Sequence, residues 1–222
     1  MRFLIIFILV FSPIVLSAQE KDTIYNDSFK STYKLDLFRA FQGTIQLSRE
    51  SIIKKRLAFQ IGLMGTYAST RGLAKPYLKA QDFVYKELEK NQTYKLDNVE
   101  VIGYGLNLQV RKYMGKQNAT LRGYYMAPEL FFRQLSLKSN IVDYDSKQNR
   151  NISKGLYLGY MGYLIGYQKV IRDVVAIDSY LGGGFFFSKY QDDKKLTQYR
   201  NNYQIDYTGF YLNAGILIGI TK

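Results

Sequence analysis

Seven charged side chains fall where an alternating pattern turns them to the same side as Gly, Asn and Gln: Lys34, Asp36, Glu50, Arg111, Glu129, Arg133 and Asp178. Acids and bases in that mixture admit two kinds of chemistry. A carboxylate pair such as Glu50 with Glu129 would serve general acid–base catalysis or an ion path. Opposite charges that neutralise one another would instead fill an interior, because an unpaired buried charge is costly. The rest of the composition favours the second reading. The 222 residues include no His, Cys or Trp. That removes Ser-His-Asp and Cys-His catalysis, imidazole- or thiolate-bound metals, disulfides and a lipidated cysteine. No catalytic residue, cofactor or metal is assigned, and the seven charges are expected to form a structural polar network.

The elements that would position those charges have a period of two. Ile102, Tyr104, Leu106, Leu108 and Val110 alternate with Gly103, Gly105, Asn107, Gln109 and Arg111. Side chains of a strand alternate faces, so this segment has one oily and one polar side. Phe210, Leu212, Ala214, Ile216, Ile218 and Ile220 repeat the pattern against Tyr211, Asn213, Gly215 and Gly219. So do Leu57–Leu63, Tyr124–Phe132 and Val175–Phe187. The polar side is rich in Gly, Ala, Asn, Gln and isolated charges, and poor in the Lys, Glu and Thr that a soluble sheet shows to water. That mixture suits a narrow lumen with its bulky apolar side toward lipid. A soluble lipocalin-like barrel, with the apolar side inward, is the alternative.

Counting back from the C-terminus gives arms at 204–220, 174–188, 155–171, 121–135, 99–113, 56–68 and 44–50. Single-chain bacterial barrels have even strand numbers, so Tyr33–Phe41 is read as the eighth, turning tightly at Gln42-Gly43, unless 33–50 is one bent strand. Short connections alternate with long polar ones near 69–98, 136–154 and 189–203, as short inner turns and long outer loops do. A helical turn or two is expected within Ala80–Lys90. Pro128, and a parity change between Gly159 and Gly162, each suggest a bulge. The fold class is therefore all-β: an eight-stranded antiparallel transmembrane meander over 33–222. Residues 1–18 read as a cleaved signal peptide, with Arg2 before an apolar run that ends at Ser17-Ala18, and 19–32 as a periplasmic tail. The apolar run to Ala18 is 16 residues, short of the roughly 20 a spanning helix needs.

Three stretches carry a resemblance: Lys34–Leu37 through Gly43–Glu50, Gly123–Glu129, and Asn213–Ile220. On these the chain resembles the small OmpA-like outer-membrane barrels of the type common in Bacteroidetes. The resemblance implies a bacterial outer-membrane location and a barrel-assembly signal at Asn213, Gly215, Ile218 and Ile220. The chain departs from it by ending on Thr221-Lys222 and not on an aromatic. The enzymes among such barrels use histidine, which is missing here, so no enzyme is expected. The expected role is structural, or binding through the outer loops, with a small-solute channel as alternative. The formal charge of +13 calls for anionic counterparts, and an exported barrel meets lipid phosphates, not nucleic acid. Expected partners are outer-membrane lipids and lipopolysaccharide, the barrel-assembly machinery and an unidentified outer-loop partner.

Overall fold

The computed structural model describes residues 30–72, 74–79, 94–114, 121–143, 149–193, 195–197 and 205–222. The expected signal peptide, residues 19–29 of the expected tail and Ala80–Lys90 lie outside them. Eight antiparallel strands close on themselves in sequence order: β1 Ser31–Asp36, β2 Thr44–Lys54, β3 Leu57–Ser69, β4 Tyr94–Tyr113, β5 Gly123–Asp143, β6 Asn149–Ile171, β7 Val175–Tyr190 and β8 Gly209–Thr221. Closure is made by β1 against β8, from Thr32↔Thr221 to Asp36↔Leu217.

The inside–outside alternation follows the sequence pattern. On β8, Phe210, Leu212, Ile216, Ile218 and Ile220 are exposed outward while Asn213, Gly215 and Leu217 are buried. On β4, Asn107, Gln109 and Arg111 point inward. The outward apolar belt, which includes Leu47, Leu63, Ile165 and Leu181, is bordered below by Tyr33, Tyr124 and Tyr167 and above by Tyr67, Tyr104, Phe132 and Phe210. Two aromatic rows around an aliphatic band match the interfacial girdles of membrane barrels. The lipocalin-like plan, with apolar inside and polar outside, is reversed here.

The sequence reading needs four corrections. First, Tyr33–Phe41 is not one strand. β1 begins at Ser31, inside the expected tail, and stops at Asp36, whose Oδ1 accepts the Arg39 N–H at 3.0 Å. That cap starts the short helix α1, Leu37–Phe41. Gly43 ends the connection at φ +75, its N–H bonded to the Ala40 carbonyl at 3.0 Å. Only glycine fits there, because an added Cβ would lie 2.7 Å from the Tyr67 carbonyl oxygen. Second, β4, β5 and β6 run 20, 21 and 23 residues, well into stretches read as loops. Above Phe132 the outward face of β5 turns polar, with Gln134, Ser136, Lys138 and Asn140, so this part of the sheet stands clear of the apolar belt.

Third, neither expected bulge is present. β5 and β6 pair in one unbroken register from Gly123↔Gln168 to Val142↔Asn149. Pro128 only interrupts the β4–β5 ladder between Gln109↔Glu129 and Lys112↔Met126, on the same register. The glycines of β6 change parity because they serve both faces. A Cβ on outward Gly159 would run into the Phe187 ring, and one on inward Gly162 into the Tyr160 hydroxyl. The register shifts fall at Ile52/Lys54 and Leu96/Asn98 instead. Fourth, the 69–98 connection is not wholly solvated. Its short helix α2, Lys75–Lys79, buries Leu78 and, with Ala74, joins an apolar cluster containing Phe131, Leu135, Leu158, Phe186, Ile205 and Tyr207. The upper lumen is thereby roofed by parts of two outer connections.

The polar step on β5 yields a paired expectation. Leu181→Arg, in the belt, loses about 2–4 kcal/mol of folding free energy near a bilayer midplane, whereas Ser136→Arg, above it, changes stability by less than about 0.5 kcal/mol. Denaturant midpoints of the two variants in lipid vesicles check this; equal damage would misplace the boundary of the belt.

Candidate functional site

All seven predicted charges face the lumen, and the structure sorts them into layers. The lowest layer joins four of them. Lys34 Nζ donates to Glu50 Oε2 at 2.5 Å, to Asp178 Oδ2 at 2.8 Å and to Gln60 Oε1 at 3.3 Å, and it also contacts Gln168 Oε1. Arg111 Nη1 lies 2.5 Å from Asp178 Oδ2 and 3.4 Å from Glu50 Oε2. The second oxygens are taken by tyrosines: Tyr113 donates to Glu50 Oε1 at 2.7 Å and Tyr125 to Asp178 Oδ1 at 2.8 Å. Arg111 Nε donates to Gln109 at 2.8 Å, and its guanidinium lies over the Tyr125 ring at 4.3 Å. All four charged side chains have zero exposure. Ala58 and Leu121 lie at the lower ends of their strands, in one apolar cluster with Leu164 and Leu217.

The second layer is centred on Glu129. Its carboxylate accepts amide hydrogens from Asn107 at 2.6 Å, Gln109 at 3.0 Å and Asn213 at 2.6 Å. Arg39, from α1, reaches it at 4.0 Å and lies 3.4 Å from Asp36 Oδ2. Tyr180 donates to the same Asp36 oxygen at 3.1 Å. Glu50 and Glu129 thus belong to separate layers and form no carboxylate pair. Glu50 is held by Lys34 and Arg111, and Glu129 by three amides with Arg39 at 4.0 Å.

Arg133 stands apart. Its Nη2 donates to the hydroxyls of Thr44 and Thr66, both at 2.7 Å, and its Nε is buried with no partner. Among the described residues it has no carboxylate partner. Around it the lumen opens into a cavity of about 450 Å³, walled by Phe131, Leu158, Phe186 and Tyr211 and lined also by Arg39 and Tyr77. Burial raises the Tyr77 phenol to about 12 against the pull of the Arg133 guanidinium, so it remains a neutral donor.

Sequence reasoning missed Arg39, because a strand through 33–41 gives no reason for the chain to turn inward there. Asp36 three residues before Arg39 and Gly43 after Phe41 are the helix-cap signals that mark it. Gln168, Tyr113, Tyr125 and Tyr180 lie on the inward parity and were findable from it. The four residues expected to form an assembly signal divide by face. Asn213 and Gly215 point inward, onto Glu129 and the Tyr180 ring, and Ile218 and Ile220 point outward.

No family model and no curated protein sequence matches the chain. The crystal structure of a major outer membrane protein from Thermus thermophilus is similar over 86% of this chain and 99% of that one, at 12% identity and a TM-score of 0.42. The functional reading therefore rests on the chain's own geometry.

The lowest layer is a closed exchange of charge, which sets the expected response to mutation. Asp178→Asn leaves Lys34 and Arg111 with one carboxylate between them and destabilises the barrel by about 3–5 kcal/mol. Lys34→Met/Asp178→Leu removes one charge of each sign and retains the Arg111–Glu50 pair. Urea unfolding of both in detergent is expected to place the double variant nearer the parent than the single one.

Proposed function

We propose that this protein is a non-enzymatic outer-membrane barrel with a sealed lumen, and that its work is done at the upper, outward end. The observation that carries this is the lowest charge layer. Side chains from β1, β2, β3, β4, β5, β6 and β7 meet there within hydrogen-bond distance and at zero exposure. An eight-stranded barrel is only wide enough for its own side chains to fill, and here they do so with fixed, mutually neutral charges. A conducting path would need water or mobile ions in place of that layer.

Membrane insertion is supported by the outward belt and its two aromatic rows, which in water would be an exposed apolar surface far beyond what a soluble monomer carries. The location in an outer membrane is supported by the fold, since closed sheets are the strand-based way to span a bilayer, and by the leader-like first residues. The lower rim suits lipid phosphates: Lys54, Lys55, Arg56, Lys112 and Arg172 gather at the turns on that side. The upper end differs, with the tall β4–β6 wall, the α2 roof and the cavity beneath it, and binding is assigned there.

In planar bilayers the purified protein is expected to show no large, steady conductance, and in gels the unboiled form is expected to migrate apart from the boiled one. A stable pore at neutral pH would convert the reading to a small-solute channel. A helix-rich circular dichroism spectrum in detergent would remove the barrel itself.

A further inference from the structure

The wall of the barrel is incomplete on one side. β1 pairs with β8 only up to Asp36↔Leu217 and with β2 only up to Leu35↔Leu47. Above that level β8 continues for eight residues, from Ile216 to Gly209, without a strand on that side. The space is taken by α1, and no described backbone hydrogen bond joins α1 to β8. The cavity beside Arg133 reaches this seam. Its lining includes Phe38, Leu212 and Ala214, which face outward, together with Phe131, Phe186 and Tyr211, which face the lumen. Residues of both faces meet at this cavity beside the stretch of β8 that has no strand on that side. The roof of α2 and residues 205–207 covers the lumen from above, and the two charge layers close it from below, so the seam is the route in. That route starts in the apolar belt: Phe38 and Phe41 are exposed on the outer face of α1.

The cavity combines aromatic and aliphatic walls with one half-buried cation that lacks a carboxylate among the described residues. Arg39, which also lines it, is already held by Asp36 and Glu129. Arg133 has only two hydroxyls, a vacant Nε and the nearby neutral phenol of Tyr77. A guanidinium in that state favours a carboxylate or phosphate oxygen, and an apolar cavity of this size with a few convergent polar groups is the usual form of a small-molecule site. We infer that the cavity binds a single-chain anionic amphiphile, its carboxylate or phosphate head on Arg133 and its apolar chain among Phe131, Phe186 and Tyr211, entering sideways from the lipid through the α1–β8 seam. This rests on the membrane reading above and names the ligand class for the upper end.

The test uses the full barrel in phosphatidylcholine nanodiscs and cis-parinaric acid, a fluorescent fatty acid, as probe. The expected result is saturable 1:1 binding above simple partition into the bilayer, at least tenfold weaker for the methyl ester, and at least tenfold weaker in Arg133→Gln, with Arg133→Lys recovering part of the loss. Displacement by laurate but not by dodecyl phosphate or a lysophospholipid assigns the head to a carboxylate; displacement by the phosphates assigns it to a lipid-derived phosphate. Ala214→Trp, at the mouth of the seam, is expected to slow probe uptake at least tenfold. Equal binding of the ester, or undiminished binding in Arg133→Gln, overturns the head-group site, and an unchanged uptake rate in Ala214→Trp overturns the lateral route. A barrel that shows its heat-modifiable gel shift in this preparation but binds no probe above partition refutes the ligand site alone. A chain that forms no barrel there refutes the membrane reading as well.

Discussion

Everything in this barrel is arranged around four buried charges that cannot be left alone. Lys34, Glu50, Arg111 and Asp178 come from β1, β2, β4 and β7, and each has an opposite charge within 3.4 Å. In a low-dielectric interior such a set holds only if each charge keeps its partners. The surrounding Gln60, Gln109, Gln168, Tyr113 and Tyr125 add further hydrogen bonds, while Arg111 Nη2 and Gln60 Nε2 stay buried without a partner. Register is thereby specified from inside. A slip of one residue in any of those strands would turn its charge outward into the apolar belt. The glycines opposite large rings, such as Gly166 under Tyr125 and Gly215 under Tyr180, make the space that lets the tyrosines reach their carboxylates.

Among the described residues below the roof, the charges that face the lumen balance. Lys34, Arg39, Arg111 and Arg133 stand against Asp36, Glu50, Glu129 and Asp178. The balance is not local, however. Three cations are packed among the four acids in the lower layers, and the fourth, Arg133, sits a level higher among rings and hydroxyls. This displacement sets the two neutralised layers apart from the level at which binding is proposed.

Strand parity was the strongest message in the sequence: each of the seven charges it turned inward faces the lumen, because a two-residue period leaves no third option, whereas Arg39, which lies on no strand, escaped it. It also identified the closed meander and the polar lumen. It did not reveal α1, since Leu37-Phe38-Arg39-Ala40-Phe41 alternates well enough to pass for a strand, and only the Asp36 cap and Gly43 betray the turn. The upper parts of β5 and β6 were unreadable for a different reason. The outward face of β5 there carries Gln134, Ser136, Lys138 and Asn140 and the inward face Leu135 and Leu137, so the oily-out, polar-in contrast that marks a strand in lipid is reversed once the strand leaves it. The α2 roof was hidden because Ala74, Tyr77 and Leu78 follow no strand period, and their burial depends on a cluster drawn from distant strands.

The shortness of β1 also makes the stability of the wall uneven. β1 shares five residue pairs with each neighbour, whereas β5 and β6 share twenty. Local opening follows the number of bonds that must break together. Amide protons of β1 and of the adjoining edge of β8 are thus the first to exchange with solvent deuterium, and those of the β5–β6 hairpin within the belt the last. The weakest line of the wall therefore runs beside α1, along the same thin seam that closes the cylinder.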